Sequence, residues 1–589
     1  MKTYLLHISL LIFGLNCSAQ NFHLKLIGKS TSENKVLDSM NYISKHQNIK
    51  SITDEINLVS EKLSKKGYIE NQLEEKFKEN DSMYTAKFRL GERIKLLNIY
   101  TGAKTSTQPS QKENFKNDEG TETTKKFNNK IIKDLIGADK KDTITLPFEK
   151  TESFLTETLK KLEQNGFALA KLKLINIQKK NNSLYAELQF EPGQQRELNA
   201  IVVKFSESNK KTTFPAGHLK QINRKYTKST FNQDVVRKIK DDFGKFGFVN
   251  QIKYPEILFT KDTTKVYVYL EKRKSNTFDG FIGFTNNESE KLVFNGYIDL
   301  TLENALKAGE QFSLNWKSDG NNQKTFKASI DLPYLFKSPV GLKAQIYIFK
   351  QDSIFQNTKT VIELGYFVDY RTRIYLGYQS TESSDIQNTN NSTISDYDNS
   401  YITSNFEYSK FDYMNSLFPK KIHLSLTVGT GKRTTSALEE AAGTNRQTFI
   451  NFNAMYNFYL NKKNCVNINY QNNFLKSDTY IINELYRFGG MKSIRGFVEN
   501  SLQANFMTAI TTEYRYIVSP DLYIHTILDY GYYKDNTTNY EANLLGFGLG
   551  MGLRTNNGNL KLSFSNGSND GQTIKFSNTI ATLNYNVEF

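Results

Sequence analysis

One segment of this 589-residue chain combines residue types suited to charge pairing. It is Arg487–Phe497, which ends in Ile494, Arg495, Gly496 and Phe497. Glycine allows a tight turn beside the arginine, and the apolar neighbours favour burial of that turn. A buried arginine without a partner is too costly, so it needs carboxylates nearby. These residues therefore predict a buried ion pair that fixes the segment in place.

The carboxylates stand on stretches with alternating polarity. The alternation puts Glu513, Arg515 and Asp529 on an inward face, with Gly531 beside Asp529. The next stretch alternates four glycines with apolar residues, and they are Gly546, Gly548, Gly550 and Gly552. We predict an interior wall without side chains, against which the Arg495 segment lies. The alternative is that glycine-rich strands merely bend at barrel corners.

The chain has no enzyme motif with the required context. Gly546–Gly552 superficially looks like a dinucleotide fingerprint, but that motif is followed by a helix, and here a strand continues. Gly429–Lys432 lacks the first glycine of a phosphate loop, and the six histidines are scattered. Two cysteines exclude a multi-thiolate metal site. We predict a protein that is not an enzyme and holds no cofactor or metal.

Residues 278–589 show period-two alternation almost throughout. Ile422, Leu424, Leu426 and Val428, for example, alternate with polar residues. We count sixteen strands, with short turns after even strands and longer, polar connections after odd ones. The longest of these connections are predicted at 380–400, 432–446 and 476–503. A soluble sandwich also alternates, but this asymmetry favours a 16-stranded transmembrane antiparallel β-barrel. An even count closes the sheet, and lipid offers no partners for free edges.

The front half differs in charge. Residues 1–277 hold 49 Lys and Arg against 32 Asp and Glu, and residues 278–589 hold 28 against 29. Three copies of a helix, a glycine and an aromatic residue recur there, at Gly67, Gly166 and Gly244–Phe248, and alternating strands follow each copy. The repeats predict tandem α+β modules at 20–93, 94–196 and 197–277, with a left-handed glycine ending each helix.

Two segments of the front half are predicted to lie outside the folded cores of the modules. Residues 101–145 predict a solvated insertion in the second module, with a short helix near Asn129–Leu135. Residues 1–19 predict a signal peptide cleaved after Ala19, and the alternative is a lipoprotein anchored at Cys17. Lys171–Lys180 is a basic run, and export argues against nucleic acid as its partner.

The loop and strand motifs together resemble a known family. Ile494–Phe497 matches the Val-Arg-Gly-Phe/Tyr loop of the outer-membrane assembly and secretion barrels of the BamA/TamA superfamily, with Ile494 in place of valine. Asp529 and Gly531 match the family's Asp-x-Gly, and Glu513 matches its inward acid. The modules resemble its periplasmic POTRA domains, and three of them look most like the TamA type.

This resemblance implies a location and a function. The barrel is expected in the outer membrane with its modules in the periplasm, where their strand edges guide client polypeptides. Clients are expected to insert or pass at a seam between Phe278–Phe284 and Ile580–Phe589. Tyr585, Val587 and Phe589 match the insertion signal of such barrels.

The partners that follow are outer-membrane lipid, client polypeptides and a periplasm-spanning protein. Two alternatives stay open: a two-partner-type secretion pore for one dedicated exported protein, and a passive porin.

Overall fold

The computed structural model describes residues 22–101, 143–206, 212–286, 292–318, 323–388, 393–412, 415, 417–435, 443–570 and 576–589. The predicted signal peptide and the helix near Asn129–Leu135 lie outside these residues. The chain divides into two compact units, Met1–Glu197 with Ser229–Asp234, and Leu198–Lys228 with Val235–Phe589. No helix in the described ranges is long and apolar enough to cross a membrane.

The α-helices of the described residues all lie in the front half. They are α1 (Thr31–Asp38), α2 (Ile49–Lys65), α3 (Thr151–Gln164), α4 (Ala216–Tyr226) and α5 (Gln233–Phe243). In α2, Ile52, Ile56, Val59 and Leu63 recur three or four residues apart and are buried, so the helix has one apolar face. Short 3₁₀ helices span Phe148–Lys150, Leu335–Lys337, Ile482–Glu484 and Phe576–Asn578.

Twelve strands of the described front half form three small sheets. They are β1 (Phe22–Gly28), β2 (Lys45–His46), β3 (Gln72–Lys78), β4 (Met83–Arg89), β5 (Leu96–Tyr100), β6 (Thr143–Pro147), β7 (Lys171–Lys180), β8 (Ser183–Glu191), β9 (Ala200–Phe205), β10 (Val249–Gln251), β11 (Glu256–Phe259) and β12 (Thr264–Lys272). The first two sheets have the orders β2-β1-β4-β3 and β6-β5-β8-β7. In the third, β10 and β11 pair with β12, as does β9 in parallel.

Two details of the modules differ from prediction. The insertion was predicted to reach residue 145, but β6 already begins at Thr143, because Ile144 and Leu146 pair with Ile99 and Leu97 of β5. Gly67 and Gly166 have φ values of +98° and +91° after their helices, as predicted. In the third module α5 ends at Phe243, and neither Gly244 nor Gly247 has a positive φ, so the left-handed ending is wrong there.

The back half of the described chain closes into an antiparallel barrel of sixteen strands, which confirms the predicted fold class. These strands are β13 (Thr277–Asn286), β14 (Leu292–Glu303), β15 (Gln311–Ser318), β16 (Gln323–Leu332), β17 (Val340–Gln351), β18 (Phe355–Asp369), β19 (Thr372–Asp385), β20 (Tyr397–Phe411), β21 (Lys420–Thr435), β22 (Gly443–Tyr459), β23 (Asn464–Lys476), β26 (Phe506–Ser519), β27 (Leu522–Asp535), β28 (Tyr540–Thr555), β29 (Gly558–Asn569) and β30 (Ile580–Glu588). Two short strands, β24 (Tyr486–Phe488) and β25 (Leu502–Ala504), pair within the connection from β23 to β26.

Most barrel strands run further than a membrane requires. A crossing needs about 9–11 residues, whereas β22 has 17. Residues 380–400 were expected to be a loop, but β19 continues to Asp385 and β20 starts at Tyr397. Backbone pairing such as Thr381 with Asn399 continues there between polar residues. Only the connection after β23 keeps nearly its predicted length, and we call residues 477–505 the lumen loop.

Candidate functional site

Arg495 of the lumen loop is buried against two strands of the barrel. Its Nε donates to Oδ2 of Asp529 over 2.7 Å, and its Nη2 donates to Oδ1 over 2.5 Å. The Arg495 backbone N–H also donates to Oδ2, over 3.0 Å. The guanidinium thus holds both oxygens of one carboxylate in parallel, a geometry that the compact ammonium of lysine does not reproduce.

Glu513 joins this pair to a larger charge cluster. It accepts from Nη1 of Arg495 over 2.5 Å. It also pairs with Arg515 over 2.6 Å and with Lys561 over 2.8 Å. Three cations therefore share the two buried carboxylates of Glu513 and Asp529. The sequence prediction included neither Arg515 nor Lys561 as a site residue, although alternation had placed Arg515 inward.

The neighbours of Arg495 hold the turn by packing. Ile494 is buried in an apolar cluster with Phe488, Met507 and Tyr533. Phe497 packs against the same cluster. The loop is thus fixed by apolar burial as well as by charge, and this combination gives its backbone one position in the lumen.

Two glycines leave the space in which the turn lies. A Cβ at Gly546 of β28 would collide with the Arg495 carbonyl oxygen. A Cβ at Gly567 of β29, which lies directly opposite Gly546, would come within 2.6 Å of the Gly496 carbonyl oxygen. We call Gly546 and Gly567 the glycine seat. Gly496 has a φ of +88°, so the turn itself also requires glycine.

The predicted glycine wall is only partly what the loop touches. A Cβ at Gly531 would lie 3.0 Å from Ile494, so Gly531 also faces the loop. Gly550 and Gly552 instead leave room for His525 and Tyr523 of the neighbouring strand, and Gly548 faces the backbone of β29. The wall prediction is therefore wrong for these three. Gly567, which alternation alone would have placed inward, was missed.

A second buried ion pair fixes the start of the lumen loop. Arg433 of β21 pairs with Glu484, which lies in the loop's 3₁₀ helix. Arg433 Nη2 also donates to Thr479 Oγ1 over 2.8 Å, and Gln447 donates to Glu484 Oε2 over 2.8 Å. Here the strand supplies the arginine and the loop supplies the carboxylate. The sequence prediction did not include this pair.

The barrel closes through one weak junction. In the described residues the register of β13 with β30 holds two pairs, Thr277 with Glu588 and Phe278 with Val587. The register of β29 with β30 holds eight. The Phe589 N–H adds a hydrogen bond to the Asn276 carbonyl over 3.0 Å. We call the junction between β13 and β30 the seam.

The predicted C-terminal signal residues lie at this seam. Val587 is opposite Phe278, and Phe589 is the terminal residue. Tyr585 and Phe589 are exposed on the outer surface of the barrel, 38% and 49% accessible, as residues of a lipid-facing strand would be. The structure shows where these side chains lie, and their role as a signal for insertion into the membrane stays a prediction.

A closed sixteen-stranded barrel with an arginine-tipped loop in its lumen, preceded by α+β modules, defines an outer-membrane assembly or secretion barrel. Residues 304–580 match the model of the Omp85 superfamily domain. Residues 304–580 thus form an Omp85 superfamily domain, and the protein lies in the outer membrane with its N-terminal modules in the periplasm. Its class assembles, inserts or translocates polypeptides at or across that membrane.

Three solved structures are similar in fold. CdiB from Acinetobacter baumannii is 13% identical, with a TM-score of 0.48, over 79% of this chain and 87% of that chain. CdiB from Escherichia coli is 11% identical, with a TM-score of 0.48, over 91% and 97%. BamA from Haemophilus ducreyi lacking POTRA domains 1–3 is 16% identical, with a TM-score of 0.44, over 78% and 96%. Identities this low carry no information about function. Comparison with curated proteins gives no match.

Proposed function

We propose that client polypeptides insert into, or cross, the outer membrane at the seam between β13 and β30. The supporting observation is the two-pair register of the seam against eight pairs on the other side of β30. Every register pair that opens exposes backbone groups that lipid cannot satisfy. A client strand that pairs with the freed edge supplies those hydrogen bonds, so opening and client binding favour each other.

We propose further that the modules guide clients by their sheet edges. In the described chain β3 pairs only with β4, and β7 pairs only with β8. Both strands leave one edge free for an added strand. Every residue of β3 is exposed, and β7 carries Lys171, Lys173, Lys179 and Lys180. The basic edge of β7 favours client segments that carry acidic residues.

The proposed work consists of strand pairing and strand release. It needs no covalent step, and we propose that the protein acts without catalysis. The buried charges around Arg495 then position a loop and activate no nucleophile. The partners of the proposal are client polypeptides and a periplasm-spanning protein. Similarity to the TamA type stays a prediction, because the family match covers the barrel and not the modules.

A reversible disulfide across the seam tests whether clients use the seam as their route. Phe278 and Val587 lie directly opposite each other, so cysteines at both positions are placed for a disulfide. Background oxidation is small, because the remaining cysteine of the described chain, Cys465, is buried. We expect the oxidised double variant to lose client assembly in cells and to regain it when a reductant is added.

The matched control locks a junction away from the seam. Leu549 of β28 and Phe564 of β29 are also directly opposite and exposed on the outer surface. The oxidised Leu549→Cys/Phe564→Cys variant is expected to keep its activity. Full activity of the oxidised Phe278→Cys/Val587→Cys variant would rule out the seam as the route.

Depletion followed by outer-membrane proteomics separates the classes of function. Loss of many barrel proteins is the result expected for an assembly factor. Loss of one exported protein would identify a dedicated secretion pore. A defect in solute uptake with an unchanged proteome would identify a passive porin and contradict the proposal.

A further inference from the structure

The tip of the lumen loop contacts strands on both sides of the seam. On the C-terminal side Arg495 is bound to Asp529 of β27, and the turn lies on the glycine seat of β28 and β29. On the N-terminal side Glu499 forms an ion pair with Lys317 of β15. Lys492 also lies 3.6 Å from Asp299 of β14. One short segment therefore spans from β27 to β14 across the inner face of the seam.

The contact of Glu499 with Lys317 lies where the seam has no register pairs in the described residues. The two pairs of β13 with β30 involve residues 277–278 and 587–588, at the periplasmic end. Lys317 is the penultimate residue of β15, and this strand runs from the periplasmic end to the extracellular end of the barrel. Gln323, the first residue of β16, donates to the Asn500 carbonyl over 3.5 Å at the same end. Asp299 is opposite Asp279, next to the paired Phe278, so Lys492 contacts the barrel near the periplasmic pairs. The contacts of Glu499 and Asn500 therefore bridge the extracellular half of the seam.

A cavity of about 360 Å³ confirms the closeness of the two sides. It is lined by Lys317 and Thr325 from the N-terminal strands, by Ile580 and Thr582 of β30, and by Val498 of the loop. The loop tip, the first strands and the last strand therefore enclose one common space. A movement of β30 away from β13 would change the distance that the loop tip has to span.

The two ends of this bridge differ in strength. The Arg495 ion pair is almost inaccessible, and breaking such a pair abandons a buried charge. The side chains of Lys317 and Glu499 are 41% and 42% exposed, and that of Lys492 is 82% exposed. Exposed pairs are weak and are screened by salt. Under strain the bridge would open at the N-terminal strands while Arg495 stays bound.

We propose that Glu499 forms an ionic latch with Lys317, which holds the extracellular half of the seam shut in the resting barrel. The Arg495 end serves as the fixed anchor, and the exposed end serves as the releasable one. A client strand that enters the seam displaces the weak end first. The latch rests on the proposed function of the seam, but its effect on the seam is measurable without any client.

Charge exchange in the purified full chain tests the latch. The variants are Glu499→Lys, Lys317→Glu and the double exchange, compared by hydrogen–deuterium exchange of peptides from β13 and β30. Each single variant is expected to exchange about two- to fivefold faster in these peptides, the range of one exposed ion pair. The double exchange is expected to restore the original rate. High salt is expected to speed exchange in the unaltered protein and not in the single variants.

Two controls make the test specific. Peptides from β21 and β22 are expected to be unchanged in every variant. Asp81→Lys, at an exposed ion pair of the first module, makes the same change in net charge as Glu499→Lys and should leave the seam rate unaltered. Equal seam rates in all variants, or a double exchange no better than the singles, would overturn the latch.

The test of the latch and the test of the proposed function can give different results. If the single variants open the seam faster and client assembly neither rises nor falls, the latch stands and the seam route is wrong. If the seam rate is unchanged, the latch is wrong whatever happens to clients.

Discussion

Arg495 reaches two carboxylates through one planar group, and this explains why the lumen loop has a single arginine at its tip. Arg495→Ala would leave Asp529 buried with only weaker donors, and breaking a buried pair of this kind costs about 3–5 kcal/mol. We expect a folded barrel with a mobile loop and strongly reduced client assembly. Hydrogen exchange of the loop and the level of client proteins in the membrane measure the two effects.

Variants of Arg495 and of its partner Asp529 show whether the ion pair between them is needed for function. Arg495→Lys is also expected to be impaired, because lysine does not offer two parallel donors. Asp529→Ala is expected to resemble Arg495→Ala, and the double change should be much less than additive. Strictly additive losses, or full activity of Arg495→Ala, would show that the pair has no functional role.

The glycine seat gives a second test at the same scale. In Gly546→Ala the new Cβ would collide with the Arg495 carbonyl, so we expect the loop to be displaced and its exchange rate to rise. Gly552→Ala on the same strand is the matched control, because its Cβ would meet the ring of Tyr523 and not the loop. Equal exchange of the loop in both variants would contradict the seat.

At the scale of elements, the third module packs on the barrel turns through an aromatic cluster around His218 of α4. The ring of His218 lies 5.2 Å from that of Phe246 in the module. It also lies 4.8 Å from the ring of Tyr334 and 5.2 Å from that of Tyr370, both at the periplasmic end of the barrel. Neither ring nitrogen of His218 has a hydrogen-bond partner, so the neutral form fits this site.

Burial, helped by the charge of Arg373, lowers the pKa of His218 to about 3. An exposed histidine has a pKa of about 6.5. The neutral ring therefore stabilises docking fully above about pH 6.5, and this stabilisation is lost as the pH falls toward 3. At pH 5 the loss is about 2 kcal/mol. We expect a spin label at Lys220→Cys, on the exposed side of α4, to become more mobile between pH 7 and pH 5.

His218→Phe is the control for this pH dependence. Phenylalanine keeps the aromatic packing and cannot be protonated, so the label should keep its mobility over the same range. A variant that loosens with acid as much as the unaltered protein would exclude His218 as the cause.

The elements were predictable to the extent that they follow local periodicity. Alternation gave the strands of the barrel and the inward positions of Glu513 and Asp529, because side chains alternate along any strand. Lys561 and Gly567 were missed, because their nearness to the loop depends on the register across β28 and β29. The Arg433 pair was missed for the same reason, since β21 and the lumen loop are distant in sequence. Periodicity carries no information about such contacts.

At the scale of the whole molecule, the barrel is a sheet in which every strand is paired on both sides. Most junctions hold many register pairs, and the seam holds two in the described residues. A closed barrel resists detergent until it is heated, because no edge is free to start unravelling. We expect the unboiled protein to migrate differently from the boiled protein on a denaturing gel. Identical mobility would count against a closed barrel.

Phe589 connects the closure of the barrel to its own insertion. Its ring is exposed on the outer face, where an assembly factor can bind it, and its backbone N–H bonds Asn276 at the seam. Two variants separate these contributions. Phe589→Ala removes the ring and keeps the N–H, whereas deletion of Phe589 removes both.

If the ring is the insertion signal, both variants should reach the periplasm normally and accumulate poorly in the outer membrane. If the residue serves only the seam, Phe589→Ala should insert normally, and the deletion alone should speed hydrogen exchange in β30. Leu583→Ala, another exposed residue of β30, controls for the loss of apolar surface. Normal outer-membrane levels of Phe589→Ala would therefore reject the signal while leaving the seam contact in place.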